Sequence, residues 1–334
     1  MLLQYKCATQ RKPNAYSAAG YTKFLINIFT AMKKSIIIFL FIFSAVSANA
    51  CPYCGCGVGN FYMGIVPDFK TRFVGIRYQY MQYHTQIAAD NSQFGNDYYN
   101  TAEIWGGLNV GKKWQLIGFI PYHFNKQVSD DGTTSANGLG DITLIANYRV
   151  FKSSHFSENN KVRSQELLIG GGLKLPTGKN NLDIENADEI IADANSQMGT
   201  GSVDFLLSGA YNVRLNKFGI NTSVNYKINT NNSSHYSYGN RFNASSIAYY
   251  ALKSKGTGFL PNAGLIYEHA AESKLQDTKV DLSGGHVLFA TTGIEFSFGK
   301  TGVGLNAQLP LTQNFAAKQT QAKFRGLMHV SFSF

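Results

Sequence analysis

No cysteine follows Cys56, so most of this 334-residue chain has no disulfide to brace it. Its stability has to come from backbone pairing and side-chain burial. Charge is scarce as well: Asp, Glu, Lys and Arg make up 15% of the residues, against a typical figure of about 25%. The first 50 residues carry no acidic side chain, only Lys6, Arg11, Lys12, Lys23, Lys33 and Lys34; removing these six from the formal charge of +10 leaves +4. So small a balance does not indicate a nucleic-acid partner. The apolar run from Ile36 to Phe43 has eight residues, well short of the roughly 20 that a helix needs to cross a bilayer. There is no Gly-x-Ser-x-Gly elbow, no His-Glu-x-x-His pair and no Cys-x-x-Cys-His, so the common hydrolase, zinc-protease and haem signatures are missing.

What is present begins with an export signal. From Met32 the chain reads "MKKSIIIFLFIFSAVSANA": a short basic region, an apolar core, and a small-x-small ending at Ala48, Asn49 and Ala50. Residues 32–50 are expected to be a cleaved secretory signal, and residues 1–31 an over-extended start with translation beginning at Met32. Directly behind stand Cys51, Cys54 and Cys56 in a glycine-softened segment. Three thiolates at that spacing could converge on one soft ion, Cu(I) or Zn(II). The alternatives are a disulfide between two of them in an oxidising compartment, a lipid on Cys51, or no role. Residues 51–70 carry Pro67 and do not alternate, and are expected to be a periplasmic lead or a small plug.

From residue 71 the periodicity is 2. In "KFGINTSVNYKIN" Phe218, Ile220, Thr222, Val224, Tyr226 and Ile228 oppose Gly219, Asn221, Ser223, Asn225, Lys227 and Asn229. Twelve such segments are expected near 71–84, 99–110, 113–127, 138–151, 164–177, 200–215, 217–229, 241–252, 258–271, 284–299, 301–311 and 321–334. Soluble strands average about 5 to 6 residues, whereas a tilted membrane-spanning strand needs roughly 9 to 11. Short connections alternate with long polar ones at 85–98, 128–137, 178–199, 230–240, 272–283 and 312–320, which places tight turns at one end and long loops at the other. Residues 152–163 break this rule. The fold class that results is all-β: one antiparallel up-and-down transmembrane barrel of about twelve strands over 71–334, with periplasmic turns and extracellular loops.

On this register the apolar face meets lipid and the polar face meets the lumen, because twelve strands enclose a space too wide for apolar side chains to fill easily. Trp114, Tyr122, Tyr148, Tyr226, Tyr267 and Phe296 would form interfacial girdles. Arg77, Asp141, Arg149, Lys174, Asp204, Arg214, Glu295 and Arg325 face inward, where opposed charges either select solutes or cross-link the interior and shut it. His329 and Ser331, the one short-spaced pair of catalytic type, also face inward, away from any lipid substrate, so no enzyme is expected.

"GLGDITLIANYRVF" (138–151), "GGGLKLPTGKNN" (170–181) and "QMGTGSVDFLLSGAY" (197–211) resemble the outer-membrane β-barrel transporters of the phenol-degradation (meta-pathway) type. The terminal Phe334, closing an amphipathic strand, is similar to the signal by which such barrels are recognised by the assembly machinery. The resemblance implies a barrel embedded in lipid in the outer membrane of a Gram-negative bacterium, moving small solutes. The resemblance supplies no single substrate: hydrophobic or aromatic compounds, and a metal-related role through the cysteine cluster, both stay open. The rival is a non-conducting structural or adhesive barrel.

Overall fold

The alternation of apolar and polar residues becomes twelve antiparallel barrel strands in the computed structural model, which describes residues 72–87, 90–130, 132–156, 162–182, 194–254 and 256–334. The export signal, the 51–70 lead and Cys51, Cys54 and Cys56 lie outside the described residues. In chain order the strands are β1 Phe73–Ile87, β2 Asp90–Val110, β3 Trp114–Ser129, β4 in two pieces, Gly132–Leu139 and Thr143–Phe156, β5 Val162–Lys174 and β6 Asp204–Leu215. They continue as β7 Phe218–Ile228, β8 Arg241–Tyr250, β9 Thr257–Ala270, β10 Gly285–Phe298, β11 Thr301–Phe315 and β12 Thr320–Ser333. Each pairs with its chain neighbour, and β12 returns to β1 from Phe73↔Ser333 to Thr85↔Thr320. Closure leaves no sheet edge, which is the condition for a sheet to stand in hydrocarbon.

Three of the long loops expected from sequence prove to be strand. Residues 85–98, 128–137 and 312–320 are mostly the upper ends of hairpins, in β1 to β4, β11 and β12. Their Asn, Ser, Gln and Gly content reads as loop because it carries no apolar alternation, yet β1–β2, β2–β3 and the first piece of β4 stay paired through it. The irregular 152–163 connection is explained the same way: β4 runs to Phe156 and β5 starts at Val162. The fifth expected strand stops at Lys174 instead of 177, just before Pro176, and the sixth begins at Asp204 instead of 200. "GLGD" does not open a strand; it is the interruption inside β4, where Gly140 N–H still donates to Pro121 O at 2.9 Å.

The outer face carries the apolar band. Ile76, Ile104, Leu116, Leu144, Ile169 and Leu207 are all exposed there. Trp114 packs edge-on to Tyr148 near the turn end (5.1 Å), and Tyr122 meets Phe124 (4.8 Å) higher up the same strand. Eight residues of tilted strand separate Trp114 from Tyr122, about 20 Å along the normal, which matches a membrane-spanning band bounded by aromatic girdles.

The interior is not a simple polar lumen. Phe73, Trp105, Ile117, Phe119, Ile145 and Leu206 form one buried apolar cluster near the turn end. Tyr83, Ile247, Tyr249, Ile266, Val287, Phe289, Phe315, Ala322 and Leu327 line the opposite wall as a second. The expectation that apolar side chains would not fill so wide a space is therefore wrong. Large aromatics reach inward far enough to pack, and "WQLIGFIPYHF" (114–124) already shows the sign, since it is apolar on both faces.

Candidate functional site in the barrel interior

Three of the inward charges meet in one knot at the loop end of β4, β5 and β6. Lys174 Nζ lies 2.6 Å from Asp141 Oδ2 and 2.8 Å from Asp204 Oδ2, and also donates to Thr200 Oγ1. Asp141 in addition accepts from Gly178 N (2.9 Å) and Thr200 N (2.8 Å), while Asp204 Oδ1 accepts from Ser202 Oγ (2.8 Å) and Thr230 N (3.1 Å). Asp204 is fully buried and Lys174 is 5% exposed. Charges that deep are tolerated when they are paired, and here Lys174 stands between the two carboxylates.

The knot is made of the resemblance motifs. "GLGD" supplies Asp141, and Gly140 O accepts from Thr177 Oγ1 of "LPTG" at 3.0 Å. "GTGSVD" supplies Thr200, Ser202 and Asp204. Gly178 and Gly199 stack so closely that a Cβ on Gly178 would lie 2.8 Å from Gly199 Cα, and a Cβ on Gly199 would collide with Asp141 Oδ1. Together these residues staple the long connection between β5 and β6 to the barrel wall and turn its second half inward.

That half becomes part of a cap. Leu182, Ala194, Tyr236 and Tyr238 pack as a third apolar cluster, with Leu275 and Val280 against it. Tyr238 Oη donates to Ala194 O at 2.9 Å, and Tyr236–Ser237 pairs with Lys274–Leu275, so three connections interlock. Burial pushes the Tyr236 phenol up. Beneath the cap lies a cavity of about 240 Å³. Its walls mix Met81, Tyr83, Tyr99, Phe119, Pro121 and Met198 with Arg77, Glu103, His123, Asp141, Lys174, Lys227 and Arg241. Four of those groups are basic and two are acidic, so the lining is both greasy and charged.

The remaining charges named from sequence are spread through the interior. Arg77 pairs with Glu103 on β2, with its guanidinium over Phe119 (5.3 Å) and Trp105 (5.8 Å). Arg149 pairs with Glu166 at 2.5 Å and donates to Lys112 O near the turns. Glu295 Oε2 stands 3.2 Å from His329 Nε2. Arg325 holds Glu268 through both nitrogens, at 2.7 and 3.0 Å. Arg214 Nε is buried with no hydrogen-bond partner. The partners Glu103, Glu166, Glu268, Thr200 and Lys227 were not singled out from sequence. Acidic residues within strands are few, which is a usable signal, but matching each to a base needs the strand register.

The model of the family described as "Putative MetA-pathway of phenol degradation" matches residues 80–328, well over half of the chain. The chain belongs to that family. Among solved structures, it is similar to an outer-membrane channel from Pseudomonas putida F1, with 16% identity and a TM-score of 0.58 over 83% of this chain and 100% of the other. That likeness shows the fold, a closed outer-membrane barrel. The β domain of the Bordetella autotransporter BrkA (10% identity, TM-score 0.46, 79% and 100% covered) and the CymD monoaromatic hydrocarbon channel (8%, 0.36, 79% and 88%) are more distant. No curated protein matches the chain.

Proposed function

We propose that this barrel is an outer-membrane channel for small solutes of apolar or aromatic character. The carrying observation is the interior cavity of about 240 Å³ beneath a loop cap that is stapled inward by the Asp141–Lys174–Asp204 knot. A merely structural or adhesive barrel has no need to keep a cavity of mixed aromatic and charged lining under a fixed lid. The family's connection with phenol degradation supports an aromatic cargo. The apolar outer band supports lipid as the surroundings, and the exposed Phe334 supports recognition by the assembly machinery. Export by a cleaved signal over residues 32–50 completes this reading. No enzymatic role is assigned. We read Cys51, Cys54 and Cys56 as a periplasmic thiol or soft-metal site independent of the barrel.

Single-channel conductance and liposome swelling with the purified mature protein test the proposal. Asp141→Asn weakens the ion pair and the hydrogen bonds that hold the loop, so the cap should loosen and conductance should rise or become noisy. Absence of any flux in both wild type and variant would favour the non-conducting rival.

A further inference from the structure

The cavity beneath the cap is lined unequally. The closed strand order sets β7 and β8 across the barrel from β1 and β2. From β1 and β2 come Met81, Tyr83 and Tyr99, with Tyr99 edge-on to Tyr83 at 5.9 Å; Arg77 on that side is paired with Glu103. From β7 and β8 come Lys227 and Arg241, which stand directly opposite each other in the register of the two strands. One wall is therefore largely aromatic and the other basic.

Lys227 is 7% exposed, and its ion-pair partner among the described residues is Asp204 Oδ2, 3.9 Å away. That is too far for a hydrogen bond, and the same oxygen already lies 2.8 Å from Lys174 Nζ. Asp204 Oδ1 is taken by Ser202 and Thr230, and the oxygens of Asp141 accept from Gly178 N and Thr200 N. Both carboxylates are thus turned into the knot. The Lys227 ammonium borders the cavity with three N–H groups and no hydrogen-bond acceptor among the described residues. A buried ammonium in that condition is costly, and like charges opposite each other on paired strands repel. An anion entering the cavity relieves both at once.

We propose that Lys227 is the headgroup subsite of this cavity, binding the carboxylate of a monoaromatic acid whose ring lies toward Tyr83 and Tyr99, with Arg241 alongside. An apolar cavity of about 150 Å³ already takes a benzene ring, so about 240 Å³ has room for one ring and its carboxylate. This rests on the channel reading above and narrows its cargo to aromatic carboxylates, where an apolar lining alone would serve uncharged rings.

The test measures binding of benzoate and of its neutral counterpart benzamide to the purified mature barrel by isothermal titration calorimetry, with bilayer conductance recorded on the same preparations. Benzoate should bind at least about tenfold tighter, the ratio expected of one hydrogen bond to a charged group. Lys227→Met keeps the length of the side chain and removes its charge; it should bring benzoate down to the benzamide level and leave benzamide unchanged, while Lys227→Arg keeps the preference. A heat-modifiable band in electrophoresis verifies that each variant is folded, and should Lys227→Met not fold, the wild-type preference and the Lys227→Arg barrel decide. A barrel that conducts ions but binds both probes equally overturns the subsite and leaves the channel standing. A folded Lys227→Met barrel with the full preference overturns the assignment to Lys227. A barrel that prefers benzoate yet passes no ions overturns the channel reading, and the cargo with it, leaving a bare binding site.

Discussion

Arg325 sits inside the barrel at 1% exposure, 4.4 Å over the ring of Phe289, with both terminal nitrogens on Glu268 and further contacts to Gln308 and Tyr83. Its chord joins β12 to β9 across two intervening strands. Which face such a charge takes follows from period-2 parity, because Phe324 and Arg325 must point opposite ways. Which partner it finds does not, because Glu268 lies 57 positions away and the match depends on the register of every strand between them. Removing one member of a buried pair costs about 3–5 kcal/mol, whereas replacing both by apolar groups is close to neutral. Arg325→Met alone should therefore lower the temperature at which the folded band converts to the unfolded one in electrophoresis, and adding Glu268→Met should restore most of the loss. Equal losses in the single and double variants would mean that charge pairing is not what Arg325 contributes.

The elements divide into those that sequence reveals and those it conceals. Twelve strands in an up-and-down barrel are legible because alternation is local, and lipid enforces it on every spanning segment. Hairpin ends above the girdle are not. In "GTTSANGL" (132–139) neither face meets lipid, so the polar composition of a loop belongs to a strand. Equally invisible is the break in the pairing of β11 with β12, where the ladder stops at Gln308↔Arg325 and resumes at Phe315↔Thr320. A strained turn tops that same hairpin: Ala316, Ala317 and Lys318 take φ of 44°, 52° and 74°. Left-handed backbone costs a non-glycine residue roughly 1–2 kcal/mol. Ala317→Gly should therefore stabilise the hairpin by about 1 kcal/mol against thermal conversion. A lower conversion temperature for this variant would show that the alanine methyl makes a contact worth more than the strain it imposes.

Taken as one body, the barrel closes without any help from thiols. Every strand pairs with its neighbour in sequence order from β1 to β12, and β12 returns to β1 through thirteen register pairs between Phe73 and Thr85. Two apolar clusters and the buried ion pairs fill the space within. Among the described residues no group of three or more His, Cys, Asp or Glu could hold a metal ion, and Cys51, Cys54 and Cys56 stand ahead of the first strand. A barrel whose every strand is already paired gains nothing from a cross-link at its leading end, because the free energy of closure comes from the strands themselves. Replacing the three cysteines with serine should accordingly leave the thermal conversion temperature and ion conductance unchanged, and on the soft-metal reading it should abolish stoichiometric binding of Cu(I) or Zn(II) by the mature protein. Mass measurement of the native N-terminus separates the chemistries, since loss of two hydrogens marks a disulfide and a diacylglyceryl adduct on Cys51 marks an anchor. Failure of the triple-serine protein to assemble would mean that the leading segment takes part in closing the barrel, against the evidence of a ladder complete without it.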